Sequence, residues 1–246
     1  MDPFGEFYER NLPHFQPSGY SFFVTFRLTE TLPAEVIKNY KAIKKKRLEI
    51  IAGYDNQNVR REKYHELQSE YFKLYDDYID KCISGHQWLK EKKVAEIVKE
   101  SLHYRDGNEY DLISYTIMSN HVHMVFIPYD KPVSLGAERP ASNIHRPVEL
   151  HKELLPEQND DTVGSPYRVT KILQDMKKFT ASNCNKILNR SGEFWHHESY
   201  DHVVRDSQEL KRIVNYVLNN PVKAGLVDYP EQWDYSYVNY DLIPVL

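Results

Sequence analysis

Two histidines separated by a single valine stand at the start of an apolar run, SNHVHMVFI, in residues 119–127. The run has the length and composition of a buried β-strand, in which residues two apart face the same side. His121 and His123 can therefore present ring nitrogens to one metal ion, at about 2.0–2.1 Å for a zinc-like metal. The alternative is a pair of strand histidines that hydrogen-bond to their neighbours, and the pair alone does not separate the two.

Residues around the pair distinguish three classes of enzyme that use such histidines. The histidine-triad nucleotide hydrolases require a third histidine where this chain has Val125, and the two-histidine phosphoesterases require Thr or Ser where it has His123. The HUH nucleases require two histidines around a hydrophobic residue, here Val122, on a central strand of a ferredoxin-like sheet. They also need a tyrosine on a helix. Only the HUH pattern survives.

The stretch DSQELKRIVNYVLNNPVKAGLV, residues 206–227, contains a well-marked helix at 207–219. Asp206 followed by Glu209 makes a capping box at its start, and Pro221 is expected to end it. The apolar residues recur at helical spacing and form one core-facing stripe, made of Leu210, Ile213, Val214, Val217 and Leu218.

One of the chain's 19 tyrosines lies on this helix, away from the stripe. At about 100° per residue, Tyr216 lies roughly 130° from the middle of the stripe. It shares a ridge with Arg212 and Asn220, one turn before and one turn after. A partly exposed tyrosine at a helix edge is the alternative to a functional one.

Periodicity along the chain predicts an α+β fold of the ferredoxin-like βαββαβ type with an antiparallel sheet. A helical hairpin is inserted after the first strand at 34–83, standing out from the core, and an extra helix follows the last strand. We predict one domain over 1–246, with an exposed flexible loop at 130–165. The predicted strands are 20–28, 110–117, 121–128 and 199–206, and the predicted helices are 34–51, 60–83, 87–103, 167–188 and 207–219.

Composition is that of a cytoplasmic protein without a disulfide framework or a membrane span. Only two cysteines occur among 246 residues, and no apolar run approaches the roughly 18 residues that a membrane helix needs. The formal net charge is −4, which argues mildly against a nucleic-acid partner, yet basic residues cluster locally. A charge cluster is most often a solvated helix face. The candidates for contacts to DNA phosphates are Lys177, Lys178, Arg205 and Arg212.

Three blocks, SNHVHMVF, GEFWHHESYDHVVRD and IVNYVLNNPVKAGLV, resemble those of REP-associated tyrosine transposases. These are relatives of the single-tyrosine HUH transposases of small insertion sequences. The resemblance runs with gaps from about Tyr20 to Tyr237, and the last block is its most specific part. The chain departs from the family in its long inserted helical hairpin, its loop at 130–165 and its acidic balance.

The resemblance implies a nucleophilic tyrosine, Tyr216, and a divalent ion, Mg²⁺ or Mn²⁺, bound by His121, His123 and Asn220. It implies cleavage of single-stranded or hairpin DNA through a 5′-phosphotyrosine intermediate, as in transposition. Some relatives place the tyrosine helix in a partner's active site, so it also admits a homodimer. Two other functions stay open: a domesticated transposase that binds DNA hairpins without cutting, and a phosphodiesterase acting on small nucleotides.

Overall fold

The computed structural model describes most of the chain and all four residues implicated above. The described residues are 7–9, 13–15, 19–56, 85–129 and 168–244, with 59–60, 62–63, 66–67, 70, 76 and 78–80 between them. The loop predicted at 130–165 lies outside the described residues.

A five-stranded sheet organises the molecule, and every pair of neighbouring strands in it is antiparallel. Its strands are β3 (Phe22–Leu28), β4 (Tyr110–Ile117), β5 (His121–Pro128), β6 (Trp195–Val203) and β7 (Ser236–Val238), in the order β6-β3-β5-β4-β7. Without the edge strand β7, this is the order 4-1-3-2 that a βαββαβ chain forms when each crossover places its helix on one face. The predicted α+β class and antiparallel sheet are confirmed.

Helices cover both faces of this sheet. The insertion begins with α1 (Ala34–Ala52), and the helices that pack on the sheet are α2 (Lys92–Arg105), α3 (Arg168–Ile187) and α4 (Ser207–Lys223). Alternate side chains of β3 point to opposite faces, so Phe22 and Val24 join the core under α2 and α3. Phe23 joins a second core under α4, together with Val125 and Val214. His121 and His123 share the face of Val125, so the pair looks towards α4.

Several boundaries differ from the predicted ones. The single helix expected at 87–103 is a short 3₁₀ turn, Trp88–Lys90, followed by α2, because Glu91 between them is extended (φ −70°, ψ 117°). β6 begins at Trp195, four residues earlier than predicted. Two three-residue strands, β1 (Phe7–Glu9) and β2 (Pro13–Phe15), pair with each other and were not predicted, and neither was β7. Strands this short carry no readable alternation.

The expectation that Pro221 ends the last helix is wrong, since α4 continues to Lys223. Proline lacks the N–H that would bond to Val217, but in a last turn this removes only one hydrogen bond. The turn closes past it, because the backbone N–H of Ala224 donates to Asn220 O (2.9 Å) and that of Leu226 to Pro221 O (2.9 Å). Asn220 and Lys223 therefore both stand on regular helix.

The insertion, residues 34–83, is helical at every residue described between 59 and 80, as predicted. The expectation that it stands out from the core is wrong near its end. Asp76 and Ile79 are 2% and 1% exposed, and Asp76 contacts β5. The polar composition of the insertion hid this contact, because the buried positions there are carboxylates as well as hydrophobic residues. No helix among the described residues has the length and hydropathy of a membrane span.

Candidate metal and tyrosine site

Hydrogen bonds on the far side of each imidazole fix the two histidines at the start of β5. The Nδ1 of His121 lies 2.7 Å from Asn120 Oδ1, and the Nδ2 of Asn120 donates to Ile79 O at 3.4 Å. The Asn120 oxygen therefore faces His121, so Nδ1 of His121 carries the proton and Nε2 has a lone pair. His123 is held in the same way, with its Nδ1 2.7 Å from Thr25 Oγ1. A partner on Nδ1 is how proteins orient a histidine that binds metal through Nε2.

Both imidazoles are buried and neutral. His121 is 1% exposed and His123 is fully buried. Burial, with a smaller effect of the Lys223 charge, lowers the pKa of His121 to about 3. Burial also lowers the pKa of His123 well below its ordinary value, with His121 and Lys223 adding to the effect. The two Nε2 atoms lie 3.1 Å apart.

Asn220 connects the histidines with the tyrosine. It is fully buried on α4, with its Nδ2 3.3 Å from His123 Nε2 and 3.1 Å from the phenol oxygen of Tyr216, to which it donates. The ring of Tyr216 packs edge-on against His123 and Phe23, with centroids 5.5 and 6.1 Å away. The four residues that sequence reasoning selected, His121, His123, Tyr216 and Asn220, therefore meet within one chain.

Two carboxylates of the insertion also reach the histidines, and sequence reasoning missed both. Asp76 Oδ1 lies 3.3 Å from His123 Nε2, and Asp80 Oδ1 lies 3.7 Å from His121 Nε2. Lys223 of α4 pairs with the other oxygen of Asp80 at 2.9 Å. The available signal was their spacing of four residues on a predicted helix, which places both on one face beside Ile79.

The residues present fit a divalent cation. Two donors that are each about 2.1 Å from one ion lie about 3.0–3.4 Å apart in tetrahedral or octahedral arrangements, and the two Nε2 atoms match this spacing. Ligand atoms of Asp80, His121 and His123 all lie within 4.8 Å of one another. The Oδ1 of Asn220 is buried and accepts no hydrogen bond from the described residues. Rotating this amide by half a turn would place its oxygen beside His123, where it could bind a cation.

The four basic residues predicted to contact DNA lie in different surroundings. The Nζ of Lys177 donates to three backbone carbonyls of β6, those of His196, His197 and Glu198. Burial, with the charge of Arg27, lowers the pKa of Lys177 to about 7. Arg205 pairs with Glu209 at 2.8 Å, whereas Lys178 and Arg212 are exposed. The role of all four stays a prediction.

Fold and site define an α+β protein with two histidines on a central strand and a tyrosine on the helix that faces them. The chain is similar to a curated protein of Haemophilus influenzae named "Putative REP-associated tyrosine transposase", with 27% identity over 99 residues. The match covers 39% of this chain and 56% of that protein, so it spans little more than half of the relative's length. The resemblance to REP-associated tyrosine transposases read from the sequence blocks is confirmed by this relative.

A solved structure of the REP-associated tyrosine transposase bound to a REP hairpin aligns with 93% of this chain and 80% of its own. The sequence identity is 14% and the TM-score 0.46. No protein-family model matches the chain.

Proposed function

We propose that this protein is a metal-dependent single-strand DNA endonuclease and strand transferase, acting on hairpin-forming DNA in the manner of a transposase. The observation that carries the proposal is the contact of Asn220 with both Tyr216 and His123. It joins a nucleophile of the right type to a pair of neutral, oriented imidazoles. An ordinary edge tyrosine would have no reason to meet a fully buried amide and a buried histidine.

Tyr216 would act as the nucleophile. Its phenol oxygen attacks the scissile phosphorus and loses its proton to solvent, and the bond from phosphorus to the 3′ oxygen breaks. That oxygen takes up a proton and leaves as a 3′-hydroxyl, while the 5′ phosphate stays on Tyr216. The amide of Asn220 holds the phenol oxygen in place, and the edge contacts with His123 and Phe23 restrict the ring.

His121, His123 and Asn220 would hold the divalent cation, Mg²⁺ or Mn²⁺. When bound, the cation offsets charge on the non-bridging oxygens of the scissile phosphate. Asn120 and Thr25 keep the imidazoles turned so that both Nε2 atoms point to the same place. Burial keeps both imidazoles neutral, which is the state in which a histidine can bind metal.

The substrate class rests on the resemblance and on the curated relative, which is named for its association with REP sequences. Exposed Lys178 and Arg212 are the candidates for contacts to the DNA backbone. Because Tyr216 reaches the histidines of its own chain, one chain contains every residue of the proposed site. A homodimer stays a prediction.

Tyr216→Phe tests the proposal. The variant and wild type are incubated with labelled single-stranded hairpin DNA and Mn²⁺, and protein-linked DNA is resolved on a denaturing gel. We expect the variant to lose the covalent adduct and to keep DNA binding, because the substitution removes one oxygen and keeps the ring. Tyr104→Phe, at a tyrosine that is 68% exposed on α2, is the matched control and should form the adduct normally.

The other functions give different results in the same assay. A wild-type band shift without any adduct would indicate a non-cleaving hairpin-binding protein. Neither a shift nor an adduct, with hydrolysis of small nucleotides, would indicate a phosphodiesterase. Sequencing the DNA-linked peptide is decisive for the nucleophile, since a linked peptide without residue 216 would contradict its assignment.

A further inference from the structure

The insertion meets the candidate cation site through one face of a helix. Asp76 and Asp80 are four residues apart, so their side chains lie one above the other. Each approaches a different histidine, Asp76 at 3.3 Å from His123 Nε2 and Asp80 at 3.7 Å from His121 Nε2. The Asp76 and Asp80 side chains are 3% and 5% exposed. Two buried carboxylates and two imidazoles therefore converge on one place.

The imidazole of His121 is oriented so that it offers no proton to Asp80. Its proton is on Nδ1, facing Asn120. Its Nε2 therefore presents a lone pair to the carboxylate of Asp80, an arrangement that is repulsive unless a cation lies between them. Lys223 contributes one positive charge to Asp80 from the solvent side, where its own side chain is 45% exposed. Ligand atoms of Asp80, His121 and His123 all lie within 4.8 Å of one another, as the donors to a single ion would.

A purely structural role is the alternative for Asp80. Its ion pair with Lys223 could serve to fasten the insertion to α4, with the histidines nearby by coincidence. That role does not explain why Asp80 approaches His121 through Oδ1 while its other oxygen holds Lys223. It also leaves the buried Oδ1 of Asn220 with no hydrogen-bond donor among the described residues. A cation bound between these groups accounts for both observations.

We propose that the insertion completes the cation site, with Asp80 as a direct ligand and Asp76 as a second carboxylate that the cation draws to His123. The proposal rests on the cation site of the proposed function and adds to it two donors from outside the transposase-like blocks. Carboxylate oxygens favour Mg²⁺ and Mn²⁺, whereas a site of histidine and amide donors alone also suits softer metals. The insertion would thus set both the affinity of the site and its preference among metals.

Binding of Mn²⁺ to the intact chain tests this without any DNA. Titration calorimetry and the electron paramagnetic resonance signal of free Mn²⁺ both measure that binding. Asp80→Asn keeps the shape of the side chain and removes its charge, and we expect it to weaken Mn²⁺ binding at least about tenfold. Asp76→Asn should weaken it less. Asp175→Asn, on the exposed face of α3 where Asp175 pairs with Lys171, is the matched control and should bind as wild type does.

Lys223→Gln should change the Mn²⁺ affinity in the opposite direction. If Asp80 is a ligand, removing the ammonium that competes for its second oxygen should strengthen Mn²⁺ binding severalfold. If the Asp80–Lys223 pair only fastens the insertion, the same variant should lower the melting temperature and leave Mn²⁺ affinity unchanged. Thermal melts of each metal-free variant, monitored by circular dichroism, identify the variants that fail to fold. If Asp80→Asn does not fold, the Mn²⁺ affinity of a folded Lys223→Gln still decides whether Asp80 is a ligand.

The outcomes separate this inference from the proposed function. Wild-type binding that is lost in His121→Ala but unchanged in both Asp80→Asn and Lys223→Gln would overturn the inference and leave the function standing. No Mn²⁺ binding by wild type would overturn both. Weakened binding in Asp80→Asn together with normal adduct formation by Tyr216→Phe would support the carboxylate ligands and contradict the catalytic tyrosine.

Discussion

Thr25 orients one of the two histidines of the candidate site. Its hydroxyl lies 2.7 Å from Nδ1 of His123, on the side of the ring opposite the candidate site, and it is fully buried. Asn120 does the same for His121. Partners of this kind fix the tautomer and the direction of the imidazole, and their loss typically costs about 10–100-fold in metal affinity or activity.

Thr25→Val should therefore lower Mn²⁺ affinity and the rate of adduct formation by about 10–100-fold, while the fold is kept. Valine has nearly the shape of threonine and lacks the hydroxyl. Calorimetry and the gel assay measure the two effects. Thr116→Val is the matched control, because Thr116 lies beside His123 on the other neighbouring strand but bonds instead to Ser236. Equal effects of both variants would show that the loss comes from packing.

For single residues, the sequence predicted which side chains meet only where those residues are close together along the chain. The spacing of two between His121 and His123 and of four between Tyr216 and Asn220 is local, and periodicity alone places each pair on one face. The facing of β5 by α4 follows from the order of elements. The approach of Asp76 to His123 joins residues of different elements, and no periodicity within the insertion predicts which helix face would turn inwards.

The start of α4 is held by a network around Glu209. The carboxylate accepts hydrogen bonds from the backbone N–H and guanidinium of Arg205, at 2.7 and 2.8 Å, and lies 3.2 Å from Nε2 of His202. Asp206 caps the helix by accepting from Glu209 N at 2.7 Å. Burial acts to raise the pKa of Glu209, but the hydrogen bonds from His202 and Arg205 outweigh it and hold the pKa well below its ordinary value.

A carboxyl whose pKa is lower in the folded state contributes stability above its unfolded pKa, about 4.3, and loses it as the pH falls towards the folded value. Glu209→Gln should therefore lower the free energy of unfolding by about 1–3 kcal/mol near pH 7. It should also flatten the decline of that free energy between pH 5 and about 3. Urea unfolding at a series of pH values measures both. Glu231→Gln, at an exposed position, should leave the curve unchanged.

The bounds of helices and strands with a clear hydrophobic pattern were predicted closely, and elements without such a pattern were missed. β4 and β5 match their predicted bounds because the apolar runs on both sides of Ser119-Asn120 have strand length. α4 passes Pro221 because proline is tolerated where few hydrogen bonds remain to be lost. β7 takes its structure from pairing with β4, and its three residues carry too little information to show that in advance.

The residues just before and just after the insertion lie next to each other. A Cβ added to Gly85 would lie 2.6 Å from the backbone oxygen of Glu30 and 3.0 Å from Cα of Thr31. The chain therefore comes back, just after the insertion, to within contact of the residues that precede it. The insertion therefore begins and ends beside the end of β3.

Gly85→Ala should destabilise the protein by about 2–3 kcal/mol or more, because the residue has φ +96° and the new methyl group would meet the backbone of Glu30 and Thr31. Gly225→Ala isolates the conformational part of this cost. That residue has φ +69° with nothing within 4 Å of its Cβ, so we expect only about 1–2 kcal/mol. Thermal unfolding of the two variants gives the difference. Equal losses of stability in the two variants would mean that the backbone around Gly85 can move to accommodate a methyl group.

The near-complete burial of His121 and His123 bears on how DNA would reach the proposed site. With exposures of 1% and 0%, neither imidazole is open to solvent. For the proposed cleavage, a phosphate can approach a cation on these histidines only after the packing around them has loosened. We therefore expect an opening step to precede the chemistry and to limit its rate.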